Sequence, residues 1–168
     1  MELPQRKSIR LAHYDYSTCG AYFVTICTHN RRNTLSAMRR GDPCGRPQLH
    51  LSPLGQIVAG TFQRIEHLYG ITFDSCVVMP NHVHFIVVIP AQAPEQKPIS
   101  LGRIVGAFKS VISYHWLRIC RERGQLMGPV WQRNYYEHVV RNDHDLSDIR
   151  TYIDNNPDRW QEDEYHNL

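Results

Sequence analysis

The chain has 168 residues, 42% of them apolar by the AVILMFWYC count, and a formal net charge of +3. That length suits one domain spanning 1–168, with a core at about 10–157 and enough residues to bury roughly two-thirds of its unfolded surface. No apolar run approaches the ~18 residues needed to cross a bilayer, and Met1–Lys7 carries no apolar signal segment, so no membrane role and a cytoplasmic, nucleoid-associated location are expected.

Five cysteines (Cys19, Cys27, Cys44, Cys76 and Cys120) are odd in number and form no Cys-x-x-Cys pair. This argues against a disulfide framework and a zinc ribbon; Cys27 and Cys76 read as core strand residues. Charge is unevenly distributed. Residues 1–50 carry eight Lys/Arg against three Asp/Glu, residues 101–141 seven against two, and residues 142–168 two against eight. Two basic segments and an acidic end predict a polyanion-binding surface with a separate solvated end, or an uneven surface that only solvates the fold.

In chain order, Ala21–Thr28 is β-branched and aromatic and reads as a first strand. Arg31 and Arg32 follow it, then a loop insertion at about 36–50 whose Gly and Pro between Arg39 and Pro47 disfavour regular structure. Ser52-Pro53 is a helix start, and Leu54, Ile57, Val58, Phe62, Ile65 and Leu68 recur at helical spacing up to Gly70. Ile71–Met79 reads as a second strand, Pro80-Asn81 as a turn, and His82–Ile89 as a returning strand. Ser100 caps a long amphipathic helix ending near Gly124; Val130–Val140 reads as a fourth strand; a last helix from Asp143 or Asp145 is stopped by Pro157. The order βαββαβ with an appended C-terminal helix predicts an α+β, ferredoxin-like split βαβ fold with an antiparallel sheet.

Chemistry concentrates in two places. His82 and His84 flank Val83 on a strand, so both imidazoles share one face, as half of a metal site would require. Tyr152 and Asn156 stand four apart on the last helix, one above the other. If that helix crosses the open sheet face, His82, His84 and Asn156 could hold one divalent cation beside the Tyr152 phenol, a plausible covalent nucleophile. Oxygen-preferring Mg²⁺ or Mn²⁺ suits phosphodiester chemistry, the imidazoles favouring Mn²⁺. Core packing for Tyr152 and a helix cap for Asn156 fit the same spacing, so spacing alone leaves both open. A zinc hydrolase is a third reading, weakened because Asn is a poor zinc ligand.

Six segments in order resemble the REP-associated tyrosine transposases, a branch of the HUH single-strand DNA transposases. They are Tyr14-Asp15-Tyr16, Gly20–Thr25, Val77–His84, Phe108-Lys109-Ser110, Trp131–His138 and Tyr152–Pro157. The resemblance implies the ferredoxin-like core, a metal pair at His82 and His84, a third ligand at Asn156 and Tyr152 as the nucleophile. It implies a metal-dependent single-stranded DNA endonuclease and strand transferase, acting on palindromic hairpins through a 5′-phosphotyrosine. The alternative is a non-catalytic hairpin-binding protein or repressor on the same fold. Candidate DNA contacts are Arg31, Arg32, Lys109, Arg133, Tyr135, His138 and Arg141, which mix cations with aromatic faces. Tyr135 and Tyr136 point to opposite faces of a strand, so one of them belongs to the core. Monomer and homodimer are both compatible with the sequence.

Overall fold

Alternating strands pack both faces of one antiparallel sheet. The computed structural model describes residues 11, 14–40, 47–93 and 98–166. Its strands are β1 (Gly20–Cys27), β2 (Ser36–Arg40), β3 (Pro47–Leu51), β4 (Thr72–Val78), β5 (His82–Ile89) and β6 (Tyr136–Val139). Its helices are α1 (Pro53–Tyr69), α2 (Leu101–Glu122) and α3 (Asp143–Asn155). The main sheet has the order β4-β5-β1-β6, all pairs antiparallel. This is the expected α+β, ferredoxin-like arrangement with α3 appended.

Each helix starts where the sequence provides a cap. The Ser52 hydroxyl accepts from the Gly55 amide with Pro53 at the first helical position, Ser100 accepts from Arg103, and Asn142 from Asp145. These side chains satisfy amide donors that the first turn leaves unpaired. Gly70 ends α1 in the left-handed region, φ 61°, where a side chain would be strained.

The sheet's two faces have different covers. Val24, Ile26, Val83, Phe85 and Val87 pack against Val58, Phe62 and Ile65 of α1 and Ile104, Phe108 and Ile112 of α2 in the main core. Burying each such side chain contributes about 1.5–3 kcal/mol. On the opposite face Phe23 and Ile86 meet Ile153 of α3, with Leu146 and Ile149 beside them. A bidentate pair from Arg150 to Asp74, at 2.6 and 2.8 Å, fixes α3 to the edge strand β4.

Four expectations are corrected. The insertion is framed by an antiparallel hairpin, β2 with β3, because Ser36-Ala37-Met38 can pair with Leu49-His50-Leu51 before the Gly/Pro stretch; residues 41–46 lie outside the described residues. The fourth strand is short, since only Tyr136–Val139 pairs with β1, while Trp131 bridges Thr28 separately. Cys76 is exposed rather than core, because β4 is an edge strand, whereas Cys27 is buried. The acidic C-terminal segment is not a separate solvated end: Trp160 is 7% exposed, and residues 160–166 fold back over the sheet. Cys44 lies outside the described residues.

Two glycines of α1 give opposite expectations. A Cβ at Gly55 would overlap the Leu35 carbonyl, whose oxygen also accepts the Ser52 amide, whereas a Cβ at Gly60 meets nothing within 4 Å. Gly55→Ala is expected to destabilise the fold by about 1–3 kcal/mol. Gly60→Ala should stabilise it by about 0.5–1 kcal/mol. Urea unfolding midpoints check both, and a neutral Gly55→Ala would contradict the close approach.

Candidate active site

Strand register assembles the site. On β1 and β5 the pairs Thr25↔His84 and Cys27↔His82 put both imidazoles on the face that carries α3. His82 and His84 are fully buried, at 0% and 1% exposure, with ring centroids 4.3 Å apart. Phe23 stacks on His84 at 5.3 Å and meets the Tyr152 ring edge-on at 6.0 Å, fixing both.

Neighbours set the tautomers. The Asn81 amide NH₂ donates to the carbonyls of Arg31 (3.2 Å) and Tyr165 (2.8 Å), which turns its oxygen toward His82 Nδ1 at 2.9 Å. His82 Nδ1–H therefore donates, and the Nε2 lone pair is left facing inward. At His84, Nδ1 bonds the Thr25 hydroxyl, which can donate or accept, at 2.8 Å, and Nε2 is hydrogen-bonded to the Tyr152 phenol at 3.3 Å, the protonated phenol donating. A second group holding the other ring nitrogen is how metal-ligating histidines are oriented.

Burial pushes His82 down to about 3, assisted by the positive charge of Arg31, and pushes His84 well below the ordinary histidine range. Both rings are thus neutral near pH 7, the form in which imidazole binds a cation. Burial pushes the Tyr152 phenol up to about 12; the negative charges of Asp163 and Glu164 add to this, and the Asn156 side chain opposes it. The phenol is therefore protonated at neutral pH, although 43% of Tyr152 remains exposed.

The last turn of α3 places the Tyr152 phenol 3.3 Å from His84 Nε2, and Asn156, which also caps the helix C-terminus, beside His82. Asn156 is 3% exposed, its NH₂ donates to Asp163 at 3.0 Å, and its Oδ1 makes no hydrogen bond among the described residues; nor does His82 Nε2. Two buried acceptors without donors, beside a carboxylate whose ligand oxygen lies within 4.8 Å of the imidazole nitrogens, form a donor set of N and O atoms that fits a divalent cation. Beside it a cavity of about 520 Å³ is lined by Thr151, Tyr152, Asn155, Asn156, Arg159 and Asp163, among others.

The remaining candidates divide. Arg32, Arg133 and Arg141 are exposed. Arg31 is half-buried, with its guanidinium 4.9 Å above the Tyr165 ring. Lys109 is not a free phosphate contact: its ammonium donates to the carbonyls of Gln132 (2.9 Å), Arg133 (3.4 Å) and Asn134 (3.0 Å), and burial lowers it to about 8. Those bonds hold the irregular chain before β6. Tyr135 is the core member of its pair, packed against the main cluster, because the chain enters β6 one residue later; Tyr136 is the exposed one, on the site face opposite Thr25. His138 bonds Asp145 at 2.9 Å, tying β6 to the first turn of α3.

Sequence reasoning missed Thr25, Asn81, Asp163 and Tyr165. Thr25 and Asn81 act through long-range pairing, and only the adjacency of Asn81 to His82 signalled it. Asp163 and Tyr165 were hidden in a segment read as solvated.

The sequence profile of the IS200-like transposases matches residues 17–156. An uncharacterised Haemophilus influenzae protein is 34% identical over 176 residues, covering 95% of this chain and 92% of that one. A second Haemophilus influenzae protein, provisionally named a REP-associated tyrosine transposase, is 22% identical over 144 residues, 85% of this chain and 73% of its own. Among solved structures, a REP-associated tyrosine transposase bound to a REP hairpin superposes with a TM-score of 0.61 at 20% identity, covering 90% of this chain and 73% of that one. That likeness shows the shared fold.

The depressed histidines make the fold acid-sensitive. Unfolded, they take up protons near pH 6.5; folded, His82 does so only at about 3, so the stability they contribute is complete above about pH 6.5 and is lost as the pH falls toward 3. The thermal midpoint of the native chain is expected to drop between pH 7 and about 4.5, and to drop less in a His82→Gln, His84→Gln double variant. Equal slopes would contradict neutral burial of the pair.

Proposed function

The chain belongs to the IS200-like transposase family, and on that premise we propose that it is a metal-dependent single-stranded DNA endonuclease and strand transferase that acts on palindromic hairpins. The observation that carries the reading is the Tyr152 phenol oxygen 3.3 Å from His84 Nε2, beside the undonated His82 Nε2 and Asn156 Oδ1. The hairpin seen on the similar transposase supports the choice of substrate.

In this reading His82, His84 and Asn156 hold Mg²⁺ or Mn²⁺, which when bound supplies positive charge to a scissile phosphate. Tyr152 loses its proton and its oxygen attacks phosphorus; the phosphorus–O3′ bond breaks. The protein then carries a 5′-phosphotyrosine, and the departing strand has a free 3′-OH, which takes up a proton. Attack by a 3′-OH reverses the step and joins strands, with no external energy source. Phe23 fixes the phenol by edge contact and α3 holds it through Ile153 and the Arg150–Asp74 pair. Exposed Arg32, Arg133 and Arg141 contact backbone phosphates, with Arg31 beside them, while the Tyr136 ring offers a stacking surface for a base, worth about 1–3 kcal/mol.

Two outcomes test this. With Mn²⁺ and a single-stranded hairpin substrate, the native chain should form a DNA adduct that survives a denaturing gel, and Tyr152→Phe should form none while still shifting the hairpin in a native gel. An adduct with Tyr152→Phe, or binding without cleavage by the native chain, would contradict it, the latter favouring a hairpin-binding role. Because the phenol starts near 12, adduct formation should also accelerate as pH rises from about 6 to 9, by up to about tenfold per unit. A flat profile in single-turnover assays would rule out phenol ionisation as a contributor to the barrier.

A further inference from the structure

The segment after α3 lies beyond the family match at residue 156, yet it closes over the histidine pair. Its contacts are specific. The Tyr165 ring lies 4.6 Å from the His82 ring, the Tyr165 carbonyl accepts from Asn81 at 2.8 Å, and Trp160 sits 6.0 Å from His82. Asp163 is at the centre of this cover. One carboxylate oxygen accepts the Tyr165 amide at 2.7 Å and the other accepts the Asn156 NH₂ at 3.0 Å. The second bond uses the nitrogen end of the Asn156 amide and so leaves its oxygen, which has no donor, as the end free to bind a cation.

A ligand atom of Asp163 and those of His82 and His84 all lie within 4.8 Å of one another. Around an octahedral Mg²⁺ or Mn²⁺, ligand atoms are separated by about 3–4 Å, so a small inward shift closes the set. Each carboxylate oxygen accepts one of these hydrogen bonds and has a further lone pair for a cation.

We propose that Asp163 is a further ligand of the cation site, its one charged donor among the described residues, and that cation binding and docking of residues 160–166 over β5 therefore reinforce each other. This rests on the metal reading above and extends it from three neutral ligands to a set that carries negative charge. By reciprocity, whatever factor the docked segment adds to cation affinity, the cation adds to docking. A phosphate entering the site must share the cation with Asp163 or displace it, so the segment sets how much of the cation's charge reaches substrate.

The test uses the full chain and Mn²⁺ alone, without DNA. Binding is read from loss of the free-ion electron paramagnetic resonance signal, and docking from hydrogen exchange of the 158–166 peptide. Asp163→Asn keeps an acceptor for the Tyr165 amide and removes the charge; Glu162→Gln controls for charge elsewhere on the segment. The native chain and Glu162→Gln should bind Mn²⁺ with slowed exchange in 158–166. Asp163→Asn should bind roughly tenfold or more weakly, with exchange unmoved by Mn²⁺. Equal affinity in Asp163→Asn, or native exchange unaffected by saturating Mn²⁺, overturns the proposal while leaving the histidine site standing. No binding by the folded native chain overturns both, and a native-like His82→Ala affinity shows that the ion sits elsewhere and does the same.

Discussion

Two neutral imidazoles, buried at alternate positions of a central strand, constrain everything else on this face of the sheet. A buried ring needs both nitrogens accounted for; at His84 both have partners, whereas at His82 only Nδ1 does. Asn81 and Thr25 take the Nδ1 atoms, which leaves His82 Nε2 without a donor and His84 Nε2 against the Tyr152 phenol. The lone pair on His82 Nε2 is an unmet acceptor in a dry environment, a cost that a bound cation would remove. The site is thus a local departure from complete polar satisfaction, paired with the undonated Asn156 oxygen.

The rest of the molecule holds that departure in place. The α1/α2 layer makes β1 and β5 rigid from behind, and β1 supplies Phe23 and Thr25 to the front. Helix α3 carries two stripes: Leu146, Ile149 and Ile153 pack on the sheet, and the neighbouring Tyr152–Asn156 edge overlooks the histidines. The Arg150–Asp74 pair and the His138–Asp145 pair tie this helix to both edge strands, β4 and β6. Bent over the site from the far end, residues 160–166 complete its wall.

What could be read in the sequence was whatever is local. Caps, helical periodicity and strand alternation located α1, α2, α3 and the His82–His84 face, because each depends on neighbours a few residues away. The Tyr152/Asn156 pair was visible as a spacing, with its meaning supplied by resemblance. Long-range facts were not accessible: that Thr25 faces His84 is a matter of strand register, and that Lys109 finds three carbonyls depends on how residues 132–134 cross α2. The acidic end misled for a physical reason. Its charges looked solvated, but Trp160 is buried and Tyr165 half-buried beside His82, and Asp163 comes with them, so two aromatics outweighed the charge run. The choice between Tyr135 and Tyr136 failed similarly, because alternation gives opposite faces and does not say which one is the core.

The central claim is that the two inward-facing Nε2 atoms bind one divalent cation, and pulsed electron paramagnetic resonance of the Mn²⁺-loaded chain tests it directly. Selective ¹⁵N-histidine labelling should convert ¹⁴N modulation from two coordinated imidazoles into ¹⁵N modulation, and His84→Gln should halve it. Bound Mn²⁺ with no histidine-nitrogen coupling would contradict the account.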